Sequence, residues 1–329
     1  MGPFVALAPP ARPGIRGLGG SLGPMLDVQV RRPVAPADLA LLRGLAAAAT
    51  MTDGHPPFGD AVWRDLGHPG PDSTLILGLV EGGAVAAVHV APADDPATVV
   101  ASILVDPGHR SPDTATALLD ALVTDARARA IGHITLWCFG TDERSDALVS
   151  GAGFTKEREL WQMRVGLPLD ESVRWPDGID VRAFEPGRDD AAWLEVNNRA
   201  FRDDPDQGGW TLEILQAREA EAWFDPQGFL LAFDDAGLAG FCWTKIHAPE
   251  PPSDPEPLGE IYVIGVDPDR QGIGLGRALV LGGLASLHHR GVRVGMLFVD
   301  AANAAAAGLY RTLGFEIARV DRAYGCDIR

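Results

Sequence analysis

The sequence predicts an α/β protein with a mixed β-sheet, built from two copies of one α/β unit. Two landmarks carry this prediction: Val105-Asp106-Pro107 recurs as Val266-Asp267-Pro268, and Gly153-Phe154 recurs as Gly314-Phe315. Both recur 161 residues later, and one spacing shared by independent landmarks indicates an internal duplication. Strand-like and helix-like hydrophobic patterns also follow the same order in the two halves. The length of 329 residues suits two domains of ordinary size.

The first half is predicted to form a domain over residues 25–167. Residues 1–24 are rich in Gly and Pro, so we expect a disordered extension there, with Met25 as an alternative translation start. The turn Glu81-Gly82-Gly83 predicts a hairpin, and helical apolar spacing that ends near Gly132 predicts a long helix. The predicted elements, in chain order, are strands Thr74–Val80, Ala84–Pro92 and Thr98–Val105, helix Pro112–Ala130, strand His133–Cys138, helix Asp142–Ser150 and strand Phe154–Val165.

Residues 168–178 are predicted to be a linker, because Pro168, Pro176 and Gly178 interrupt a stretch with few apolar residues. The second predicted domain, residues 179–329, contains another hairpin turn at residues 234–237. Its predicted elements are strand Asp180–Ala183, helices Asp189–Phe201 and Thr211–Ala220, strands Phe229–Phe233, Leu238–His247 and Gly259–Val266, helix Gly274–Arg290, strand Val292–Val299, helix Asn303–Leu313 and a last strand from Phe315.

The composition argues against several classes of protein. With 28 basic and 45 acidic residues the formal net charge is −17, so binding to nucleic acid or to an anionic membrane is not expected. Cys138, Cys242 and Cys326 are odd in number and far apart, which fits neither a disulfide framework nor a zinc motif. No apolar run approaches the length of a membrane span. We therefore expect a cytoplasmic monomer without a metal.

A glycine-rich turn in the second half has the features of a phosphate-binding loop. It joins a strand to the helix predicted from Gly274, and it contains Gly272, Gly274 and Gly276. Glycines let backbone N–H groups converge on a ligand without obstruction by a Cβ atom, and the N-terminus of a helix attracts anions. Arg270 and Arg277 are predicted to add positive charge. The Lys-Ser/Thr pair of a nucleotide-triphosphate loop is missing.

The pattern Gln271-x-x-Gly274-x-Gly276, followed by Asn303 and by Tyr310-x-x-x-Gly314-Phe315, resembles the coenzyme A signature of the GCN5-related N-acetyltransferase (GNAT) family. Further segments resemble the mycothiol synthase branch of that family, namely Asn197–Phe201, Asp206–Trp210, Glu221–Pro226, Trp243–Lys245 and Leu258–Tyr262. The resemblance implies two tandem GNAT-like acyltransferase domains, with acetyl-CoA as acetyl donor. It also implies that the acceptor is the cysteinyl amine of cysteinyl-glucosaminyl-inositol, in the last step of mycothiol biosynthesis.

The resemblance further implies a set of site residues. Glu260 is the catalytic base, and Tyr310 protonates or hydrogen-bonds the departing thiolate, while a backbone N–H near Val266 polarises the thioester carbonyl. Substrate-binding residues are Asp60, Asp206, Lys245, Glu260 and Phe298. The residues expected to bind acetyl-CoA are Ile264, Gly265, Val266, Gln271, Gly272, Ile273, Gly274, Leu275, Gly276, Arg277 and Asn303.

Elementary chemistry agrees with the two catalytic assignments. An α-amino group has a reference pKa of about 7.7–8.0, so a base must remove its proton near neutral pH, and a carboxylate is sufficient. Strand alternation predicts that Glu260, Tyr262 and Ile264 share one face. Tyr310 follows Asn303 by two helical turns, which predicts that both lie on one helix face.

The first half lacks the equivalent groups. The positions that correspond to Gly274, Gly276, Glu260 and Tyr310 are Asp113, Ala115, Val99 and Val149. We therefore expect the first half to be non-catalytic and not to bind acetyl-CoA, because Asp113 would repel a phosphate. Its expected role is to supply one wall of the acceptor cleft through Asp60.

Two other functions stay open at this stage. One is a GNAT acetyltransferase for a different amine, such as a peptide N-terminus or an antibiotic. Asp60 and Asp206 stand where the resembled family usually has Glu, and Phe298 stands where it commonly has Tyr, so the acceptor preference could differ. The other is a non-enzymatic module that binds acyl-CoA.

Overall fold

The computed structural model describes residues 26–202, 204, 207–249 and 254–329, which form one mixed 12-stranded sheet flanked by helices. The predicted α/β class is confirmed. The N-terminal extension expected over residues 1–24 lies outside the described residues, and so does Asp206.

The first half contains β1 (Asp27–Arg31), α1 (Pro36–Asp53), α2 (Asp60–Gly67), β2 (Thr74–Val80), β3 (Gly83–Pro92), β4 (Thr98–Val105), α3 (Pro112–Ala128), β5 (His133–Cys138), α4 (Glu143–Gly151) and β6 (Thr155–Gly166). From β2 onward the ends agree with prediction to within two residues. The elements β1, α1 and α2 were not predicted. The sequence gives little indication of helix α1, because this alanine-rich segment has weak hydrophobic periodicity and Ala35 provides no side-chain cap.

The second half contains β7 (Asp180–Ala183), α5 (Asp190–Ala200), α6 (Leu212–Glu219), β8 (Phe229–Asp234), β9 (Gly237–His247), β10 (Leu258–Val266), α7 (Leu275–His289), β11 (Val294–Asp300), α8 (Ala304–Thr312) and β12 (Glu316–Asp327). A short 3₁₀ turn follows the fourth strand of each half, at Pro107–His109 and Pro268–Arg270. Each turn begins beside an aspartate that accepts a backbone N–H, Asp106 or Asp267. The duplication is therefore visible in backbone structure as well as in sequence.

The last strand of each half lies beside strands of the other half. The sheet order is β1-β2-β3-β4-β5-β12-β6-β11-β10-β9-β8-β7. Strand β6 pairs with β11, and β12 pairs with β5 as well as with β6. Residues 168–178, the predicted linker, lie between the two halves along the chain. The sheet nevertheless contains strands of both halves.

Strands β10 and β11 are joined over only part of their length. They pair in parallel from Leu258–Ile261 to Val294–Leu297, yet β10 continues to Val266 and β11 to Asp300. The pairing of β10 with β9 is irregular between Ile261 and Val263, and such bulges bend a strand. A gap therefore opens between the carboxyl ends of β10 and β11, next to the glycine-rich turn.

Among the residues that the structure describes, no helix has the length and apolar character of a membrane span, and no group of three His, Cys, Asp or Glu side chains could hold a metal ion. Cys138 and Cys242 are buried, and burial raises the pKa of each thiol to about 12. Both thiols therefore stay protonated at neutral pH and pack as small apolar groups.

Candidate active site

A cavity of about 500 Å³ lies between the two halves. Its walls come from α1 and α2 of the first half, from β9, β10 and β11 of the second half, and from the exchanged strands β6 and β12. Asp60, Glu260 and Phe298 all line it. A concave space of this volume, with a few converging polar groups, is typical of a small-molecule site.

The register of two antiparallel strands fixes Glu260 in this cavity. Glu260 lies directly opposite Lys245 on β9, and His247 is a diagonal neighbour on the same face. The Nε2 atom of His247 lies 2.6 Å from Oε2 of Glu260. The Glu260 side chain is only 10% exposed, and a carboxylate so enclosed requires a polar partner. The imidazole of His247 supplies one.

Lys245 connects the two halves across the cavity wall. Its Nζ donates a hydrogen bond of 2.5 Å to Oδ2 of Asp60 on α2. It also lies 5.0 Å from the ring centroid of Trp223 and 5.8 Å from that of Tyr262, within cation–π range. Burial alone would raise the pKa of Asp60, but the hydrogen bond and charge of Lys245 lower it overall. Asp60 is therefore an anion at the cavity wall.

The irregularity in β10 changes which side chains face the cavity. Glu260 and Tyr262 line the cavity, whereas Ile264 packs against the opposite core beneath α7 and α8. The prediction that all three share a face is therefore wrong for Ile264. The register shift between Ile261 and Val263 interrupts the simple alternation on which that prediction relied.

Backbone N–H groups of β10 point into the gap between β10 and β11. The N–H of Asp267 donates to the carbonyl of Ala239, which continues the β9 ladder. Because successive residues of a strand direct their N–H groups to opposite sides, those of Ile264 and Val266 point away from β9. They are therefore available to a ligand that enters the gap.

The glycine-rich turn leaves open space next to these amides. Gly272 and Gly274 have φ values of +84° and +87°, which favour glycine, and a Cβ atom at either position would meet nothing within 4 Å. Gly274 precedes α7, and no side chain caps this helix. The amides of Leu275 and Gly276 thus lack an intrahelical acceptor. This arrangement fits a diphosphate, which accepts hydrogen bonds from such amides.

The two arginines beside the turn are paired with carboxylates. Arg277 donates to Glu171 at 2.9 and 2.5 Å, and Arg270 donates to Asp234 at 3.1 Å. These hydrogen bonds raise the pKa of both guanidinium groups. The predicted positive charge is present at the turn, but a carboxylate of this acidic chain pairs with each guanidinium and offsets it locally.

Three other residues that were expected to bind acetyl-CoA lie at the turn or at the start of α8. Gln271 and Ile273 are exposed at the turn, Ile273 with 52% of its surface accessible. Asn303 caps α8, since its Oδ1 accepts the N–H of Ala306 at 3.1 Å. That cap fixes where α8 begins.

Tyr310 lies on the face of the sheet opposite the cavity. It is 7% exposed and packs against Phe315 at a centroid distance of 5.7 Å. The same buried cluster contains Ile261 and Leu297, the last pair before β10 and β11 separate. Glu260 and Tyr310 therefore lie on opposite faces of the sheet, and the gap between β10 and β11 lies between the two side chains. Burial raises the pKa of Tyr310 to about 12.

Several cavity residues were missed by sequence reasoning. His247 could have been found, since it lies two residues after Lys245 on the same face of one strand. Among the others are Gln162 and Arg164 of β6 and Arg319 of β12. The strand exchange brings these beside the second half, and no local pattern in the sequence indicates that exchange.

The first half has a cavity of about 460 Å³ lined by the carboxyl end of β4, the end of β5 and the start of α3. Its helix N-terminus differs from that of α7. Ser111 accepts the N–H of Thr114 at 3.1 Å, and Pro112 has no N–H to donate. Arg110 forms an ion pair with Asp53. Fewer free amide donors therefore face this cavity than face the glycine-rich turn.

Comparisons with known proteins agree with this geometry. The family model "Acetyltransferase (GNAT) family" matches residues 41–154 and 191–315. Two curated relatives are mycothiol acetyltransferases. That of Thermomonospora curvata is 46% identical over 283 residues, covering 85% of this chain and 91% of the relative. That of Thermobispora bispora is 42% identical over 302 residues, covering 91% and 99%.

Solved structures give the same fold. A GCN5-related N-acetyltransferase from Sphaerobacter thermophilus aligns with a TM-score of 0.72 and 26% identity, over 92% of this chain and 96% of that one. A tandem GNAT protein from the clavulanic acid biosynthesis pathway aligns with a TM-score of 0.71 and 19% identity, over 92% and 99%. The tandem GNAT architecture therefore extends over both halves of this chain.

The fold and the family match define an acyltransferase with tandem GNAT domains. Given its identity to the curated relatives over most of its length, the chain belongs to the mycothiol acetyltransferase family.

Proposed function

We propose that this chain transfers the acetyl group of acetyl-CoA to the cysteinyl amine of cysteinyl-glucosaminyl-inositol, the last step of mycothiol biosynthesis. The observation that carries the proposal is the position of Glu260, in a cavity large enough for a small acceptor and next to a gap between two strands. The names of the curated relatives supply the substrate class.

The second half is the proposed site of acetyl-CoA. The diphosphate would accept hydrogen bonds from the amides after Gly272 and Gly274, where no Cβ atom or capping side chain intervenes. The thioester would lie in the gap, where the N–H groups of Ile264 and Val266 could polarise its carbonyl. Arg277 would contribute through its backbone N–H, because its guanidinium is paired with Glu171.

Glu260 is the proposed general base. At neutral pH most of the acceptor amine is protonated, since its reference pKa is about 7.7–8.0. Glu260 removes this proton, and the neutral amine attacks the carbonyl carbon. A new N–C bond forms as the C–S bond breaks, the nitrogen releases its excess proton to solvent, and CoA leaves as a thiolate.

Tyr310 is the proposed hydrogen-bond donor to that thiolate. With the Tyr310 pKa at about 12, transfer of its proton to a thiolate with a reference pKa near 8.5 would cost about 5 kcal/mol. A charge-assisted hydrogen bond needs no such transfer and still stabilises the leaving group. The thiolate then takes its proton from solvent.

Asp60, Lys245 and Phe298 are proposed to hold the acceptor. Asp60 and Phe298 line the cavity, and Lys245 fixes Asp60 in place. The role proposed for the first half is therefore structural, and it includes this wall of the cleft. Asp206 is proposed to act with these residues, on the family resemblance alone.

An acceptor panel analysed by mass spectrometry tests the proposed function. Purified protein and acetyl-CoA would be incubated separately with cysteinyl-glucosaminyl-inositol, a peptide with a free N-terminus and an aminoglycoside. We expect clear preference for the cysteinyl pseudodisaccharide, with a mass increase for one acetyl group. Preference for another amine would reject the assigned acceptor. Binding of acetyl-CoA without any acetylated product would favour a non-enzymatic module.

A further inference from the structure

We propose that His247 is a positioning residue that orients the Glu260 carboxylate toward the acceptor amine. This inference rests on the proposed function, because it assigns a further residue to the same site. His247 Nε2 lies 2.6 Å from Glu260 Oε2. Both residues belong to paired strands, so the contact is set by sheet register and not by a loop.

A carboxylate only accepts hydrogen bonds, so Nε2 of His247 carries the proton and donates it. This bond holds Oε2 of Glu260 and leaves Oε1 as the oxygen that meets the acceptor amine. The His247 side chain is 26% exposed, against 10% for Glu260. The imidazole can therefore exchange its second proton with solvent while it keeps its bond to the carboxylate.

The other charged groups at the cavity have partners of their own. Lys245 lies directly opposite Glu260 but donates to Asp60, Arg164 donates to Asp254 at 2.7 Å, and Arg319 pairs with Asp321 at 2.8 Å. Arg43 and Tyr262 complete the ionisable groups that the described residues place around the cavity.

His247 is therefore the side chain for which the structure gives a hydrogen bond to the Glu260 carboxylate. Without this bond the carboxylate could rotate, and its reactive oxygen would no longer be held toward the acceptor amine.

Two variants of His247 test this role. His247→Gln keeps an N–H donor, so we expect it to retain kcat within a few-fold. His247→Leu removes the donor, so we expect kcat to fall about tenfold or more, with the KM for acetyl-CoA unchanged. His133→Gln is the matched control, because His133 forms a similar pair with Asp327 at 2.8 Å outside the cavity.

Kinetics would be measured with whichever amine the wild type acetylates, so a wrong acceptor assignment does not obscure the result. Equal losses of kcat in His247→Gln and His247→Leu, or wild-type kcat in His247→Leu, would overturn the role of His247. Loss of acetyl-CoA binding in His247→Leu would also overturn it, since the residue would then be structural.

A second measurement needs no turnover. Because Nε2 of His247 donates to the Glu260 carboxylate, the NMR signal of that nitrogen should shift in Glu260→Ala while the ring signals of His133 stay constant. An unchanged His247 signal would contradict the pairing. Absence of acetylation of the cysteinyl pseudodisaccharide would reject the proposed function and leave these spectra interpretable.

Discussion

At the scale of single residues, Glu260 and Tyr310 approach the gap between β10 and β11 from opposite faces of the sheet. Glu260 was predicted from its place on the strand before the glycine-rich turn, and Tyr310 from its spacing after Asn303. Local spacing could not place the two relative to each other, because that depends on the separation of β10 and β11. It could not reveal the His247 contact either, since the contact joins two strands.

Replacing Glu260 by Gln should lower kcat about 10²-fold or more, the usual effect of losing a general base. The KM for acetyl-CoA should stay within two-fold, because Glu260 lies in the acceptor cavity. Steady-state kinetics with both substrates measures this. Glu316→Gln is the control, since Glu316 is an exposed carboxylate at the start of β12. Equal activity of the two variants would exclude Glu260 as the base.

Replacing Tyr310 by Phe should lower kcat about 10- to 100-fold, as expected for the loss of one hydrogen bond to a charged group. Burial raises the Tyr310 pKa to about 12, so the phenol stays protonated throughout an ordinary assay range. The donated hydrogen bond is lost only as pH rises through that value. The wild-type pH profile should therefore show no basic limb from Tyr310 below about pH 10. A basic limb in that range that disappears in Tyr310→Phe would instead indicate that the phenol ionises there.

At the scale of elements, the glycine-rich turn and α7 form the proposed phosphate site. The strand, turn and helix were predicted within two residues, since glycine spacing and apolar periodicity are local signals. The pairing of the two arginines at the turn was not predicted, because Glu171 and Asp234 reach them from distant parts of the chain. The β10 irregularity that turns Ile264 to the other face also escaped prediction, since a simple alternating pattern does not indicate a register shift.

Gly274→Ala should raise the Kd for acetyl-CoA about tenfold or more. An alanine at φ +87° costs about 1–2 kcal/mol, and relief of that strain would shift the amides that meet the diphosphate. Gly291→Ala is the control, because Gly291 has φ +86° beyond the opposite end of α7 and also has open space around it. Calorimetry should show similar destabilisation of both variants but weaker acetyl-CoA binding only for Gly274→Ala. Equal affinities would exclude the turn as the phosphate site.

At the scale of the whole molecule, the exchanged strands make the halves one cooperative structure. The repeat of 161 residues indicated two units, and the duplicated turns agree with it. The position of β12 between β5 and β6 could not be predicted, because a duplicated pattern fits exchanged and unexchanged strands equally well. The exchange also explains why β6 supplies Gln162 and Arg164 to a cavity beside the second half.

Thermal unfolding should therefore show a single calorimetric transition. Separation of the halves would expose both edges of β6 and β12, because each of these strands now pairs on both edges with strands of the other half. Acetyl-CoA should raise the temperature of the entire transition, since ligand binding to the native state stabilises the cooperative unit. Two resolved transitions, of which acetyl-CoA shifts only one, would show that the halves unfold independently.

A crystal structure with CoA bound tests the central claim most directly. We expect the diphosphate of CoA to contact the backbone amides after Gly272 and Gly274. Its sulfur should lie in the gap between β10 and β11, near the Tyr310 hydroxyl. CoA bound only in the first-half cavity beside Ser111, or a second-half gap that stays closed to the pantetheine arm, would contradict it.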